Sequence, residues 1–328
     1  MTLSACNLYV TWLKILLGAL TSVGLIIFLL PWWPSTEYLV IPKYILLFFP
    51  RWWMIGVALC CLALAPFVCW KYRVLVILVA LIALQFNDLR VNLRGNSVKK
   101  ENGITVMSAN IGAGVSLANL KQVINTHYPD IISFQEARKE KMVLVTESGY
   151  QVDCVSSQCI ASKLPFVREQ IMSRRQFGGW GSFATFYKFN HFKVPLYFIN
   201  VHFNTPRSVI EDALNLDFNI TQANKVDDIR SKQASLVQEW AEQRLAVVLA
   251  GDFNMPVEEN IYHQNFSHYR NALSDAAFGF NYTKYTQWHG VRIDHILTSS
   301  IIDITSAQVL PPVGGDHRPI IATITPQI

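Results

Sequence analysis

The chain has 328 residues and a formal charge of +5, from 28 Lys/Arg against 23 Asp/Glu. The length suits about two domains. The charge is uneven: residues 1–100 hold nine basic and two acidic side chains, the rest 19 basic and 21 acidic, which argues against a large nucleic-acid footprint in the C-terminal part.

Val10–Leu30 is a run of 21 residues with one charge, Lys14, close enough to its end to snorkel. It reads as a membrane-spanning helix. A secretory signal would have a shorter apolar core and a small-residue cleavage site. Here Pro31-Trp32-Trp33-Pro34 follows, an aromatic anchor for the membrane interface. Tyr38–Phe49 is apolar but interrupted by Pro42 and Lys43, and is expected to be interfacial or re-entrant. Trp52–Trp70 is expected as a second span. Val74–Phe86 is expected as a third, short at 13 residues, so it must tilt little or thin the bilayer.

About three spans put the chain ends on opposite sides of an inner membrane. The basic residues of the 88–100 flank pull the C-terminal part inward, whereas Lys14 and the Lys71–Arg73 loop pull the other way. The soluble part has two cysteines, Cys154 and Cys159, in DCVSSQC. Their spacing allows a small disulfide loop, which needs an oxidising compartment; a metal pair is the rival reading. The localisation adopted is a multi-pass inner-membrane protein with an exported, periplasmic catalytic part. The domain division expected is an anchor over 1–87, a polar linker over 88–103 and a catalytic domain over 104–328.

From Ile104 onward, short strands alternate with a few helices. Strands are expected at Ile104–Asn110, Ile131–Gln135, Ile160–Ser162, Phe183–Phe189, Leu196–His202, Leu245–Ala250, Ile293–Thr298, Ile304–Leu310 and Pro319–Ile324. Leu117–His127 has helical spacing, and Asp228–Gln243 is amphipathic, with Ile229, Leu236, Val237 and Trp240 on one face. The pattern predicts an α/β sandwich of mixed or antiparallel sheets.

Polar groups recur where these strands end: Asn110, Glu136, His202, Asp252 with Asn254, Asp294 with His295, and Asp316 with His317. Each alone is an ordinary turn or strand-end residue. Six such ends converging are costly to bury without a ligand or a metal. The motifs SAN (108–110), QE (135–136), NVHFN (200–204), GDFN (251–254), RIDHI (292–296) and GDHRPI (315–320) occur in that order. Together they resemble the endonuclease/exonuclease/phosphatase superfamily, which includes deoxyribonuclease I, apurinic endonucleases, neutral sphingomyelinases and inositol polyphosphate 5-phosphatases. The likeness runs from about Ile104 to Ile324. It implies a four-layered α/β sandwich, two packed sheets with helices outside, and a site at one edge.

The resemblance also implies roles. Glu136, Asn110 and Asp316 correspond to the metal side, with Mg²⁺ as the ion and Mn²⁺ as its alternative. His317 corresponds to the catalytic histidine and Asp294 to the carboxylate orienting it. Asp252 positions or activates the attacking water, and Asn254 binds the phosphate. His202 donates to a phosphate oxygen or to the leaving group. It sides with the deoxyribonuclease and sphingomyelinase branches. His295 is set aside as structural. Arg174, Arg175 and Arg207 are the few remaining anion contacts, and RRQFGGWGSF around Trp180 is read as a turn.

The function expected is a membrane-anchored, Mg²⁺-dependent phosphoesterase acting on a phosphodiester or phosphomonoester. A lipid headgroup is the favoured substrate, because a linker of about 15 residues spans at most roughly 50 Å and keeps the site near the bilayer. The alternatives are a membrane-anchored nuclease and an inactive membrane adaptor with a phosphoesterase fold.

Overall fold

The computed structural model describes residues 3–92, 103–190, 193–286 and 288–326, with side chains from Thr11 onward. Most of the expected linker, residues 93–102, lies outside the described residues. The N-terminal segment holds helices α1 (Leu3–Phe28), α2 (Val40–Phe48), α3 (Trp53–Leu64) and α4 (Trp70–Phe86).

The expectation of three membrane spans is corrected here. Among the described residues one helix is long and apolar enough to cross a membrane, over Thr11–Phe28. A second exists only if Val40–Phe48 and Trp53–Phe67, bent by 79°, count as one span. Pro50 separates α2 from α3, and Pro66 closes the run after α3, because proline cannot continue a helix. With 12 residues in α3 and 17 in α4, each is shorter than the bilayer core of about 30 Å at about 1.5 Å per residue.

The C-terminal part contains two six-stranded mixed sheets. In spatial order the first is Ile302–Val309, Ile320–Pro326, Ile104–Asn110, Ile131–Gln135, Gln158–Ser162 and Gln151–Val155. The second is Arg270–Asn271, Asp294–Thr298, Ala246–Asp252, Leu196–His202, Ser182–Phe189 and Val167–Ser173. Each sheet is antiparallel except for one parallel pair. In the first sheet it aligns Asn110 with Gln135; in the second it aligns His202 with Asp252.

Side chains alternate across each strand, so each sheet buries two faces. The inner faces meet in a core that includes Val106, Ile131 and Ile160 of the first sheet and Phe198, Val248 and Ile296 of the second. The outer face of the first sheet packs on α5 (Leu117–His127) and α6 (Val143–Thr146) through Leu120, Ile124 and Val145. After the strand Leu196–His202 come α7 (Arg207–Leu214) and α8 (Ile220–Glu242). The outer face of the second sheet packs on α8 and on α9 (Asn260–Phe266) through Val237, Trp240 and Phe266. The result is two mixed sheets flanked by helices.

A buried amide sets the sheets against each other. Asn200 of the second sheet donates to the Phe134 and Cys159 carbonyls of the first at 3.1 and 3.0 Å, and Gln135 donates to its Oδ1 at 2.8 Å. Because amide donors and acceptors have fixed directions, sliding one sheet would strand them unpaired.

α8 starts eight residues before the expected Asp228. Asn219 caps it by accepting from the Gln222 N–H at 3.0 Å. Its N-terminal half buries Asp227 and Arg230, which a hydrophobic pattern assigns to solvent. These charges meet the N-terminal segment. Lys43 pairs with Asp227 at 2.6 Å, Arg51 with Glu258 at 3.0 Å, and Arg292 with Asp88 at 3.0 Å. Arg230 is fully buried; it pairs with Glu259 and donates to the Tyr44 hydroxyl at 2.7 Å. The segment 38–49, expected at the membrane interface, therefore contributes a helix that packs on α7 and α8.

Removing one partner of a buried pair leaves an uncompensated charge. Glu259→Gln is expected to destabilise the chain by about 3–5 kcal/mol. Lys121→Ala, which breaks the exposed pair with Glu147, should cost at most about 1 kcal/mol. Urea midpoints of the two variants measure the difference, and equal midpoints would remove Arg230–Glu259 as a keystone.

Candidate active site

The two parallel pairs run in one direction and release their C-terminal ends at one edge. The first sheet delivers Asn110 and, one residue past Gln135, Glu136; the second delivers His202 and Asp252. Antiparallel pairing of Asp294 with Asp252 brings in the start of the strand Asp294–Thr298. Two backbones leave the sheets under strain. Glu136 has φ 51° and Asn254 φ 50°, values that L-residues with a β-carbon rarely adopt. Two glycines make room. A β-carbon at Gly251 would sit 2.0 Å from the Val201 carbonyl oxygen of the neighbouring strand, and one at Gly112 would sit 2.4 Å from Glu136 Oε2.

Asn110 Nδ2 donates to Glu136 Oε1 and Asp252 Oδ2, each at 3.0 Å, while its Oδ1 accepts from the Gly112 N–H. His202 Nε2 lies 3.9 Å from Glu136 Oε1 and 3.8 Å from Asp252 Oδ2, beyond hydrogen bonding but near both carboxylates. Among the described residues His202 Nδ1 has no hydrogen-bond partner. Burial pushes the His202 imidazole down to about 4, against the attraction of Asp252, so it is neutral at pH 7.

His317 Nδ1 donates to Asp294, at 2.9 Å to Oδ2 and 3.2 Å to Oδ1. Its Nε2 faces Asp252 Oδ2 at 3.7 Å. Burial lowers the affinity of His317 for a proton, but Asp294 and then Asp252 outweigh it and raise the imidazole to about 9. The Asp252 carboxyl is raised by burial first and by Asp294 second.

Donor atoms of Glu136, His202 and Asp252 lie within 4.8 Å of one another, and so do those of Asp252, Asp294 and His317. Asp252 belongs to both groups. Carboxylate oxygens with an imidazole nitrogen suit a divalent cation, and a cation would offset the burial of Asp252. Asp316, expected on the metal side, lies in neither group. Its carboxylate is half exposed and accepts from Lys284 Nζ. Asn254 donates its Nδ2 to the Phe203 carbonyl at 3.0 Å, and its N–H to Asp252 Oδ1 at 2.9 Å.

One group at this edge, Lys284, escaped the sequence reading as a site residue. Lys284 Nζ is 3.0 Å from His317 Nε2, a hydrogen bond only when that nitrogen carries no proton. Lys284 follows no apolar run, and its strand is two residues long, so no periodic signal marks it. Arg174 was singled out as an anion contact; here it spends its donors on the Asn204 side chain and the Ser182 and His202 carbonyls. Trp180 is 84% exposed on the neighbouring turn. His295 is structural, buried between the Met255 carbonyl at 2.8 Å and Asn271 at 3.1 Å.

The Asp294 carboxylate raises His317, so removing its charge lowers that imidazole. Asp294→Asn is expected to cut kcat/KM at least about 100-fold and to move the ascending limb of its pH profile to lower pH. A limb that stays in place would show that Asp294 does not set the proton affinity of His317.

The family model described as the endonuclease/exonuclease/phosphatase family matches residues 107–317. Among solved structures, the chain is similar to an endonuclease/exonuclease/phosphatase family protein from Bacteroides thetaiotaomicron (17% identity, 68% of this chain and 97% of that one, TM-score 0.50). It is also similar to D. rerio TDP2 complexed with a single-strand DNA product (14%, 69% and 100%, TM-score 0.52). A third is the 3' phosphatase NExo from Neisseria, bound to a product DNA hairpin (18%, 67% and 98%, TM-score 0.51). At these identities the structures share the fold. No curated protein matches the chain. The family match begins inside the first strand of the sandwich and ends on the histidine at its edge, and the chain belongs to the endonuclease/exonuclease/phosphatase family of phosphoric ester hydrolases.

Proposed function

We propose that the chain is a membrane-anchored, divalent-cation-dependent phosphoesterase that hydrolyses a phosphodiester or phosphomonoester carried by a lipid headgroup. The observation that carries the catalytic part is the Asp294–His317 pair facing Asp252, which itself faces Glu136 and His202. In this reading water attacks phosphorus as the bond from phosphorus to the leaving ester oxygen breaks, and His317 Nε2 takes the water's proton while Asp294 holds the ring and offsets the charge that forms. Asp252 positions that water. His202, neutral at pH 7, donates an N–H to a phosphate oxygen or the leaving oxygen. Asn254 binds the phosphate by exchanging its Phe203 partner. Glu136 and Asp252 would hold the cation, with Asn110 beside them and Asp316 joining by releasing Lys284. Mg²⁺ is the ion proposed, Mn²⁺ its alternative; once bound it acts as a Lewis acid on the phosphoryl oxygens.

The anchor is α1, and residues 1–87 and 104–328 are proposed as anchor and catalytic domains. Trp12, Ile15, Leu16, Leu25, Ile26 and Phe28 of α1 are exposed. So many large apolar side chains on one helix are unusual on a monomer facing water. By length and composition alone α1 also suits a signal sequence. Export is supported by the disulfide between Cys154 and Cys159, which face each other across adjacent strands. Two similar structures hold DNA products, which keeps a nuclease as the second reading. The acidic balance of residues 101–328 disfavours it.

A hydrolysis screen of the full chain with Mg²⁺ against phospholipids, oligonucleotides and soluble phosphate esters tests the reading. Oligonucleotides as the best substrate would put the nuclease in its place. Glu136→Gln keeps the shape and loses the charge. It is expected to abolish turnover at low Mg²⁺ while leaving the melting temperature within a few degrees; wild-type turnover in excess chelator would refute the metal assignment. Alkylation of cells before reduction should leave Cys154 and Cys159 unlabelled, and labelling of both would remove the argument for export.

A further inference from the structure

Beside the catalytic edge lies a cavity of 530 Å³. Asn254, Lys284 and Asp316 of the candidate site are among the residues that line it. Its walls are apolar and come from parts of the chain far apart in sequence. Phe48, Phe49 and Pro50 belong to the N-terminal segment, Ile210 and Leu214 to α7, and Trp288 to the loop after Lys284.

The N-terminal wall is held in place. His289 Nε2 lies 2.7 Å from the Phe48 carbonyl. Arg51, next after Pro50, donates to the Leu47 and Phe86 carbonyls and to Glu258. Phe48 and Ile210 pack on one apolar cluster built by Val40, Ile41, Val209 and Ala213, so α2 and α7 form a single wall. The formal charges along the cavity cancel, Arg207 and Lys284 against Glu211 and Asp316. A polyanionic strand finds no net attraction there. An aliphatic chain finds surface from which it displaces water.

We propose that this cavity binds the hydrocarbon chain of the phosphate ester, so that the N-terminal segment is a specificity-determining wall of the active site. The inference rests on the phosphoesterase reading for where the phosphate sits. It goes further in assigning the apolar arm to a particular set of residues. A chain seated between Phe49, Leu214 and Trp288 keeps its phosphate at Asn254 and Lys284.

Calorimetric titration of the full chain in nanodiscs with methyl, butyl and hexyl phosphate tests it, all below micelle-forming concentrations. Affinity is expected to rise roughly two- to fourfold per added methylene. Leu214→Asp and Trp288→Asp alter side chains that are 63% and 75% exposed, so the fold should tolerate them. Each should flatten the chain-length dependence and leave methyl phosphate binding unchanged. A flat series in the wild type would overturn the proposal, as would variants that keep the full slope, or an oligonucleotide that displaces hexyl phosphate more readily than dodecanol does. Hydrolysis of p-nitrophenyl alkyl phosphates separates the two readings. Turnover with a flat series removes only the cavity assignment, whereas a steep series of affinities with no turnover removes only the phosphoesterase.

Discussion

One buried guanidinium ties the molecule together. Arg230 leaves α8 and donates to Glu259, to the Tyr44 hydroxyl of the N-terminal segment, and to the carbonyls of Asn254 and Asn204. Asn254 ends the GDFN motif and Asn204 ends NVHFN. The two loops that follow the parallel strands of the second sheet are thus hung on the same planar fork. A guanidinium stays charged even when buried, and Glu259 holds its proton affinity above the ordinary value against the effect of burial. The loops that shape the candidate site, and the helix α2 that walls the neighbouring cavity, share one point of support.

That arrangement explains how the edge can carry unfavourable features. Glu136 and Asn254 occupy left-handed backbone, and Asp252 and Asp294 are both buried. Each such feature costs stability unless its surroundings over-determine it. The surroundings here are stiff. Asn200 locks the two sheets, Gly251 lets two strands approach, and Gln233 grips Asn204 from α8. Strain is concentrated at residues of the candidate site and is balanced by amide bonds and packing just behind them.

The catalytic edge was legible in sequence because each strand gave a local signal, an apolar run ending in a polar residue. Asn110, Glu136, His202 and Asp252 fall at such ends, whereas Asp294 begins its strand and His317 lies in the loop before Ile320–Pro326. Asp316 gave the same signal, yet its side chain turns to Lys284, since a strand end fixes a residue's place and not its rotamer. The supports were illegible. Arg230 and Asp227 lie on the buried face of α8, where a periodicity argument expects apolar side chains, so the helix was begun too late. Lys43 reads as an interruption of an apolar segment; the structure buries Lys43 and Arg51 against acids of the C-terminal part. The count of spans failed for a related reason. The expected span Trp52–Trp70 runs across Pro66, where the helix ends, and Val74–Phe86 is too short to cross on its own.

The charges of the edge act as one unit. Asp252 is shared by two clusters of donors, and its carboxyl is held up by burial and by Asp294. The negative charge of Asp294 and then of Asp252 raises the His317 imidazole to about 9 against burial, and the protonated ring balances that charge. A protonated His317 cannot accept a proton from water. Positive charge delivered to Asp252 from the Glu136 side would take over that task and return His317 towards a bare Nε2. Lys284 acts in the same direction, since its ammonium beside Nε2 lowers the imidazole's proton affinity. Asp252 belongs to both clusters of donors, so a change of charge on its Glu136 side is felt at His317 on the other.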